Sequence, residues 1–408
     1  MAGSATAAQG RAPSTGANAL RSRVPSVDAL RGLVMILMAL DHVREFFHWG
    51  AMSFQPDDLT RTTVALFFTR WVTHICAPVF MFTAGLGAFF WLSHGRTKAQ
   101  LSQFLWTRGF WLIVLELTAL RLAMNFSLVS GVVLLSVLWA LGWSMIALGS
   151  LVHLPLRGLA FLSFSAIALH NLFDPVKASQ FGGAAWIWNI LHQPGIFNLN
   201  GVPVLAAYPL IPWIFVMAVG FCFGPIFSLE PRERRRRMVR IGLALMLGFL
   251  VIRAINVYGD PLRWSGQAPG RIVLSFLKCT KYPPSLDFLL MTLGPAILLM
   301  AWLDRIPLSK TNPLIVFGRV PLFYFLVHFY LIHGLTIPFA WVRYGHAGFL
   351  LHPLPSLGGS RNFFPPDYGY SLWMVYAVWL AVVIVLYPVC LWFARLKERR
   401  RSIWLSYL

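Results

Sequence analysis

Ten stretches of this chain are about as long and as apolar as a bilayer crossing requires, and no other feature limits its possible folds so strongly. A crossing takes about 20 mostly apolar residues in helical form, because hydrocarbon offers no partner to an open backbone group. The stretches are 27–47, 74–93, 109–126, 129–151, 157–173, 204–227, 239–257, 285–303, 319–338 and 371–393. They predict an all-α polytopic integral membrane protein of about ten transmembrane helices. Residues 62–73 are apolar but short, and Pro78 follows them. They are expected to form a separate interfacial or re-entrant helix before the second span.

Composition closes the other routes. Of 408 residues, 58% are hydrophobic and 12% charged, where a soluble domain carries about 25% charged residues. A soluble enzyme, a disordered chain and a disulfide scaffold are excluded. Cys76, Cys222, Cys279 and Cys390 are far apart, without CxxC or Cys/His spacing, so no metal site is expected. Residues 1–24 are rich in Ala, Gly and Ser and lack the apolar core of a signal peptide. The expected organisation is a disordered cytoplasmic tail (1–24), a membrane domain (25–395) and a basic cytoplasmic tail (396–408).

The formal net charge is +20, from 34 Lys and Arg against 14 Asp and Glu. With the N-terminus in the cytoplasm, 21 basic residues fall in inner segments and tails, 10 in outer segments, and Arg31, Arg121 and Arg253 within spans. That bias sets orientation and places both termini inside. The run from Pro231 to Arg237 then reads as an anchor beside a span, not as a nucleic-acid site. The outer loops 48–73, 174–203, 258–284 and 339–370 hold Trp186, Trp188, Asn189, His192, Pro194, Asn198 and Asn200, suited to an interfacial belt or to a sugar-binding lip. No repeat relates the two halves, which disfavours an inverted-repeat transporter.

Ionisable residues within hydrocarbon are costly, so each is a functional candidate. Here they fall into one layer toward the outer side: Asp41, His42, His74, Glu116, Arg121, His170, Arg253, Lys281, Asp287, His328 and His333. Such a layer describes a polar cavity. Glu116 with Arg121 admits a structural reading through neighbouring helices, Asp28 with Arg31 a helix-start ion pair, and His328 a satisfied core histidine. His42 stands apart. Asp41 and Glu45 are four apart, and His42 and Glu45 three apart, all on one helical side. A carboxylate beside an imidazole raises its basicity and fixes its tautomer, as a general base requires.

The opening Ser26-Val27-Asp28-Ala29-Leu30-Arg31-Gly32, followed by an apolar helix ending in Leu40-Asp41-His42, resembles the transmembrane acyltransferases. Ten residues separate Arg31 from His42, the Arg-x10-His spacing of the membrane O-acyltransferase branch that acetylates bacterial surface polysaccharides. The Val-Asp-x-x-Arg-Gly opening, the Pro78-x-Phe-x-Phe-x-x-Gly85 run, Lys281-Tyr-Pro-Pro-Ser and Phe-Tyr-Phe-Leu-Val-His328 are closer to the heparan-alpha-glucosaminide N-acetyltransferase branch. The resemblance covers residues 25–395. It implies an acyl-CoA donor, acetyl-CoA in the family's usual form, and no metal.

The resemblance further implies a sugar amine or hydroxyl acceptor across the membrane, and a multi-pass place in a bacterial inner or plasma membrane. It implies His42 as the essential histidine. In the heparan branch that histidine lies in the loop after span one, where this chain has His48, so His48 is the second candidate. Basic groups would hold the phosphates of CoA: Arg31, Arg96 and Arg108 inside; Arg121, Arg253, Lys278 and Lys281 outside. The pantetheine arm would thread hydrocarbon about 30 Å thick. On this reading Asp41 or Glu45 orients His42, and His74, Lys281 or Tyr282 stabilises the oxyanion. Asp287, His328 and His333 would line the acceptor site with Glu45. An acyl-histidine intermediate is the competing mechanism. The other function class is a proton-coupled carrier using the same His and carboxylate layer.

Overall fold

The computed structural model describes residues 24–127, 131–266, 270–357, 359–400 and 405. The N-terminal tail expected over residues 1–24 lies outside these but for Val24, as does Arg401. The described chain is mostly helical with one small sheet. Among the described residues six helices are long and apolar enough to cross a membrane: Val64–Ser93 taken as one run, Leu156–Phe173, Pro231–Ile255, Leu286–Leu303, Pro321–Tyr344 and Leu372–Arg399. Val137–Leu151 and Trp213–Ser228 are apolar but shorter.

Helix α1 (Pro25–Phe47) is the axis of the bundle. Pro25 occupies its first turn, where the missing N–H costs nothing, and Asp28 adds a favourable negative charge there. Packed on α1 are α2 (Val64–Thr73), α3 (Cys76–Ser93), α12 (Leu286–Leu303), α13 (Pro313–Arg319), α14 (Pro321–Tyr344) and α15 (Leu372–Arg399). Around them lie α4 (Lys98–Leu115), α5 (Arg121–Asn125), α6 (Val137–Leu151), α7 (Leu156–Leu169), α8 (Ala185–Leu191), α9 (Trp213–Phe223), α10 (Pro231–Ile255) and α11 (Ile272–Leu277). The apolar segment before the second span is indeed a separate helix, α2, capped by the Thr63 hydroxyl, which accepts from the Leu66 N–H at 3.2 Å. Helix α15 runs on to Arg399, so the expected basic tail begins as helix.

Between apolar helices in lipid the hydrophobic effect supplies little, and small residues that admit close approach take its place. Among the described residues several pairs do so reciprocally. Gly32 of α1 lies against the α13 backbone and Gly318 of α13 against Asp28 and Gly32. Gly85 of α3 faces Met217 and Gly220 of α9 faces Phe82. Gly109 of α4 and Gly142 of α6 each present their carbonyl where the other's Cβ would stand.

Two expected spans begin differently. Residues 133–135 form strand β1 (Val133–Leu135) and 202–206 strand β3 (Val202–Ala206), so the helices start only at Val137 and Trp213. Short apolar runs do not separate strand from helix by periodicity, while Pro203, Pro209 and Pro212 oppose helix across the second run. Strand β3 pairs in parallel with β1 and antiparallel with β2 (Gly195–Leu199). Asn200 and Gly201, at φ 49° and 88°, make the tight turn of that hairpin.

Helices α4 and α5 are joined by a π-helical turn, Glu116–Leu120. Its first residue turns the Glu116 carboxylate onto the start of α6, where it accepts from the amides of Ser136 (3.0 Å), Leu138 (3.1 Å) and Trp139 (3.3 Å). Glu116 thus takes the structural reading through a neighbouring helix, as a cap on α6.

Candidate active site

Helix α1 carries Asp41, His42 and Glu45 to the wall of a cavity of about 360 Å³. The opposite walls come from Arg70 and Thr73 of α2, Phe325 and Phe329 of α14, Tyr208 beyond β3, and Lys281 and Tyr282 of the loop before α12. The imidazole of His42 packs on Phe329, ring centres 4.2 Å apart.

Among the described residues the His42 ring has one hydrogen-bond partner. Its Nδ1 is 2.7 Å from Nε2 of His328, and Nδ1 of His328 is 3.1 Å from the carbonyl oxygen of Tyr324. A carbonyl only accepts, so His328 donates from Nδ1. With His328 neutral, its Nε2 is an acceptor, and His42 must donate from Nδ1. The Nε2 of His42 is then a bare lone pair, without a hydrogen-bond partner among the described residues.

The carboxylates serve a different end from the one expected. Asp41 is buried and held by two arginines: Arg44 at 3.0 Å, and Arg70 of α2 in close contact. Glu45 meets Arg44 at 3.4 Å. Neither carboxylate bonds to His42. Their ion pairs keep the charge of this region balanced and tie α2 to α1.

Lys281 and Tyr282 reach the cavity because their loop is pinned from both sides. The Arg253 guanidinium donates to the carbonyls of Leu262 (2.9 Å), Ser275 (3.1 Å), Phe276 (2.9 Å) and Lys278 (2.6 Å). Asp260 accepts from the Thr280 amide at 2.7 Å and from the hydroxyl of Ser285, the cap of α12, at 2.5 Å. The Tyr282 hydroxyl donates to that of Tyr208 at 3.3 Å. Burial raises the cost of ionising Tyr282, but the Lys281 and Arg70 charges outweigh it and hold its phenol below the ordinary range.

A second cavity of about 270 Å³ lies against the first, on the side of the Arg31 end of α1. Its walls are mainly apolar, with Trp91, Phe104 and Leu141 among them, and Arg31 and Arg108 line it as well. Phe80, Val137 and Phe325 belong to both cavities.

Of the expected site residues, Asp41, His42, Glu45, Lys281 and Tyr282 share the first cavity, with His328 directly behind His42. Arg31 lines the second and donates to the Thr83 carbonyl. The others lie elsewhere. His48 is buried, and its Nδ1 caps the next turn by accepting from Gly50 at 3.1 Å. His74 is buried against Phe288. Arg121 lines a small separate pocket beside Glu116. Arg253, expected to bind the donor, spends its N–H groups on the four carbonyls above, and Asp287 stands 3.6 Å from it. His333 faces the carbonyls of Ala123 (2.8 Å) and Leu350 (3.1 Å). Sequence reasoning missed Arg44, Arg70 and Tyr208. The i,i+3 spacing of Asp41 and Arg44 was a usable signal for the first. Among the described residues no group of three or more His, Cys, Asp or Glu could hold a metal ion.

A family model for the catalytic region of heparan-alpha-glucosaminide N-acetyltransferase matches residues 23–257, more than half of the chain. The chain belongs to this family. It is thereby a membrane acetyltransferase by kind, in agreement with its apolar spanning helices. No curated protein matches it. The matched region contains Arg31, Asp41, His42, Glu45 and Arg70. Lys281, Tyr282 and His328 lie beyond it and join the site through the fold.

Proposed function

We propose that this protein moves an acetyl group from acetyl-CoA to an amine or hydroxyl of a sugar on the extracytoplasmic side, with His42 as general base. The observation that carries this reading is the chain Tyr324 carbonyl, His328, His42, which leaves the His42 Nε2 lone pair beside the cavity. The base takes the acceptor proton as the acceptor attacks the thioester carbonyl carbon. The negative charge that develops on the carbonyl oxygen is met by Lys281, and by Tyr282 once its hydroxyl turns from Tyr208. Collapse breaks the carbon–sulfur bond, and the departing thiolate receives the proton from His42.

The donor fits the second cavity in chemical character. Arg31 and Arg108 suit its phosphates, the apolar walls suit the pantetheine arm, and Phe80, Val137 and Phe325 mark where that arm would pass toward His42. The same reading takes the chain to cross a bacterial inner membrane about ten times with both termini cytoplasmic. It counts α1, the α4–α5 run, α6 and α9 as crossings besides the six long apolar helices. The uneven distribution of arginine supports that orientation.

The test uses purified full-length protein, acetyl-CoA labelled in the acetyl group, and an amino-sugar or hydroxyl acceptor. Label should pass to the acceptor with release of free thiol, and acetyl-CoA should raise the melting temperature. The His42→Ala variant should keep the thermal shift and lose transfer. A folded His42→Ala protein with full transfer would reject the base, and a wild-type protein indifferent to acetyl-CoA would return the carrier reading.

A further inference from the structure

Helix α10 opens on a concentration of arginine that acetyl transfer does not use. Arg232, Arg235, Arg236 and Arg240 lie along one side of it, and Arg305, just past the end of the antiparallel α12, closes the other side. With Val239 they enclose a cavity of about 410 Å³ that shares no residue with either cavity described above. No acid lines it. Asp304 is already held by Arg234 at 2.9 Å and approached by Arg235 at 3.6 Å, while Glu233 pairs with Arg237 at 2.7 Å. Arg232, Arg236, Arg240 and Arg305 form no ion pair among the described residues and are exposed.

The insertion rule accounts for arginines at this end of the bundle, but it is indifferent to where they point. It does not gather five of them, from one helix and the turn after another, around one groove. Like charges so placed repel, and a bound anion offsets that. The apolar surface indicates which anion. The face of α10 that holds Arg232, Arg236 and Arg240 continues in steps of three and four residues through Leu243, Leu247 and Leu250, which are 54%, 62% and 50% exposed. A cationic head leading into an exposed apolar stripe on a membrane-competent helix matches a molecule with a phosphate at one end and hydrocarbon at the other. Free phosphate or a nucleic-acid backbone would use the head and leave the stripe bare.

We propose that this groove is a binding site for an anionic phospholipid, its phosphate among Arg232, Arg236, Arg240 and Arg305 and an acyl chain along Leu243, Leu247 and Leu250. The planar guanidinium suits bidentate phosphate contacts. The inference is independent of the acetyl-transfer reading.

Detergent-solubilised full-length protein is titrated with phosphatidylglycerol and, separately, with phosphatidylcholine of the same acyl chains, and bound lipid is counted by native mass spectrometry. The wild type should prefer the anionic lipid. Arg305→Gln, which leaves α10 untouched, should weaken that lipid about 5-fold, and Arg236→Gln/Arg240→Gln/Arg305→Gln on the order of 100-fold, with unchanged thermal unfolding. Equal binding of the two lipids by the wild type, or an undiminished preference in Arg305→Gln, would overturn the proposal. So would displacement of phosphatidylglycerol by an equal concentration of soluble glycerol phosphate, because the head alone would then suffice.

Discussion

His42 and His328 are 286 residues apart in sequence, yet Nδ1 of the first lies 2.7 Å from Nε2 of the second. This contact decides which nitrogen of His42 can act. An imidazole free to exchange tautomers would offer the cavity an N–H part of the time, and an N–H cannot accept a proton. Anchoring His328 to the Tyr324 carbonyl removes that freedom without any carboxylate at the His42 ring.

His328→Leu is therefore expected to lower kcat on the order of 100-fold, the lower range of what a positioned base contributes, with little change in KM for acetyl-CoA. His328→Gln keeps a side-chain oxygen able to accept from His42 and should recover part of the loss. Steady-state kinetics with both variants checks this. Equal losses in Leu and Gln would show that position 328 acts through packing alone.

The Asp41 carboxylate is buried between Arg44 and Arg70. An unpaired buried charge costs about 3–5 kcal/mol, and loss of Arg70 alone, with Arg44 still at 3.0 Å, should cost part of that. Arg70→Ala should lower the melting temperature accordingly. Asp41→Asn in the same background should restore part of it, because the carboxylate that lost one of its two partners is then uncharged. Thermal unfolding of the two variants and the double variant tests the coupling.

Much of the bundle was legible because a spanning helix announces itself by length and apolarity, which need no partner to be read. The site was legible only in outline. Depth placed Asp41, His42 and Lys281 in one layer, helical spacing added Glu45 and the oxyanion reading added Tyr282, and the fold brings those five to one cavity. Depth could not distinguish Arg253, whose partners are the open carbonyls at the end of the short helix α11 and those of Leu262 and Lys278, from a ligand-binding cation. Nor could it show that Arg70, in a helix taken as interfacial, reaches Asp41. The sheet was hidden in two apolar runs, although Asn200-Gly201 is a hairpin signal.

Arg253 should prove a positioning residue. Arg253→Lys keeps the charge but cannot reach four carbonyls spread over residues 262–278. The loop bearing Lys281 and Tyr282 should loosen, with kcat falling while acetyl-CoA still raises the melting temperature. Loss of that thermal response in a folded variant would instead make Arg253 a donor-binding group.

His48 gives stability a defined dependence on pH. Burial first, and then the nearby Arg44 charge, bring its pKa down from 6.5 to about 4. Between those values the unfolded chain binds a proton that the folded chain does not, so stability rises with pH across the window. It is fully present above about 6.5 and lost as pH falls toward about 4. His48→Gln should flatten that limb of the melting temperature against pH. A limb unchanged in the variant would assign it to other groups.

The glycine contact between α3 and α9 should tolerate no side chain. Gly85 and Gly220 each face backbone of the opposite helix, Met217 and Phe82, with no room for a Cβ. Elsewhere a flexible side chain could yield, but here two backbones would have to part, and with them the wall that Cys76, Ala77 and Phe80 give the His42 cavity. Gly85→Val should therefore cost on the order of 1–3 kcal/mol, as overpacking does, and reduce acetyl transfer as well. Gly183, whose Cβ would meet nothing, serves as the control: Gly183→Ala should change neither the melting temperature nor turnover. Equal behaviour of the two variants would mean that close approach of α3 and α9 is not what holds the cavity wall.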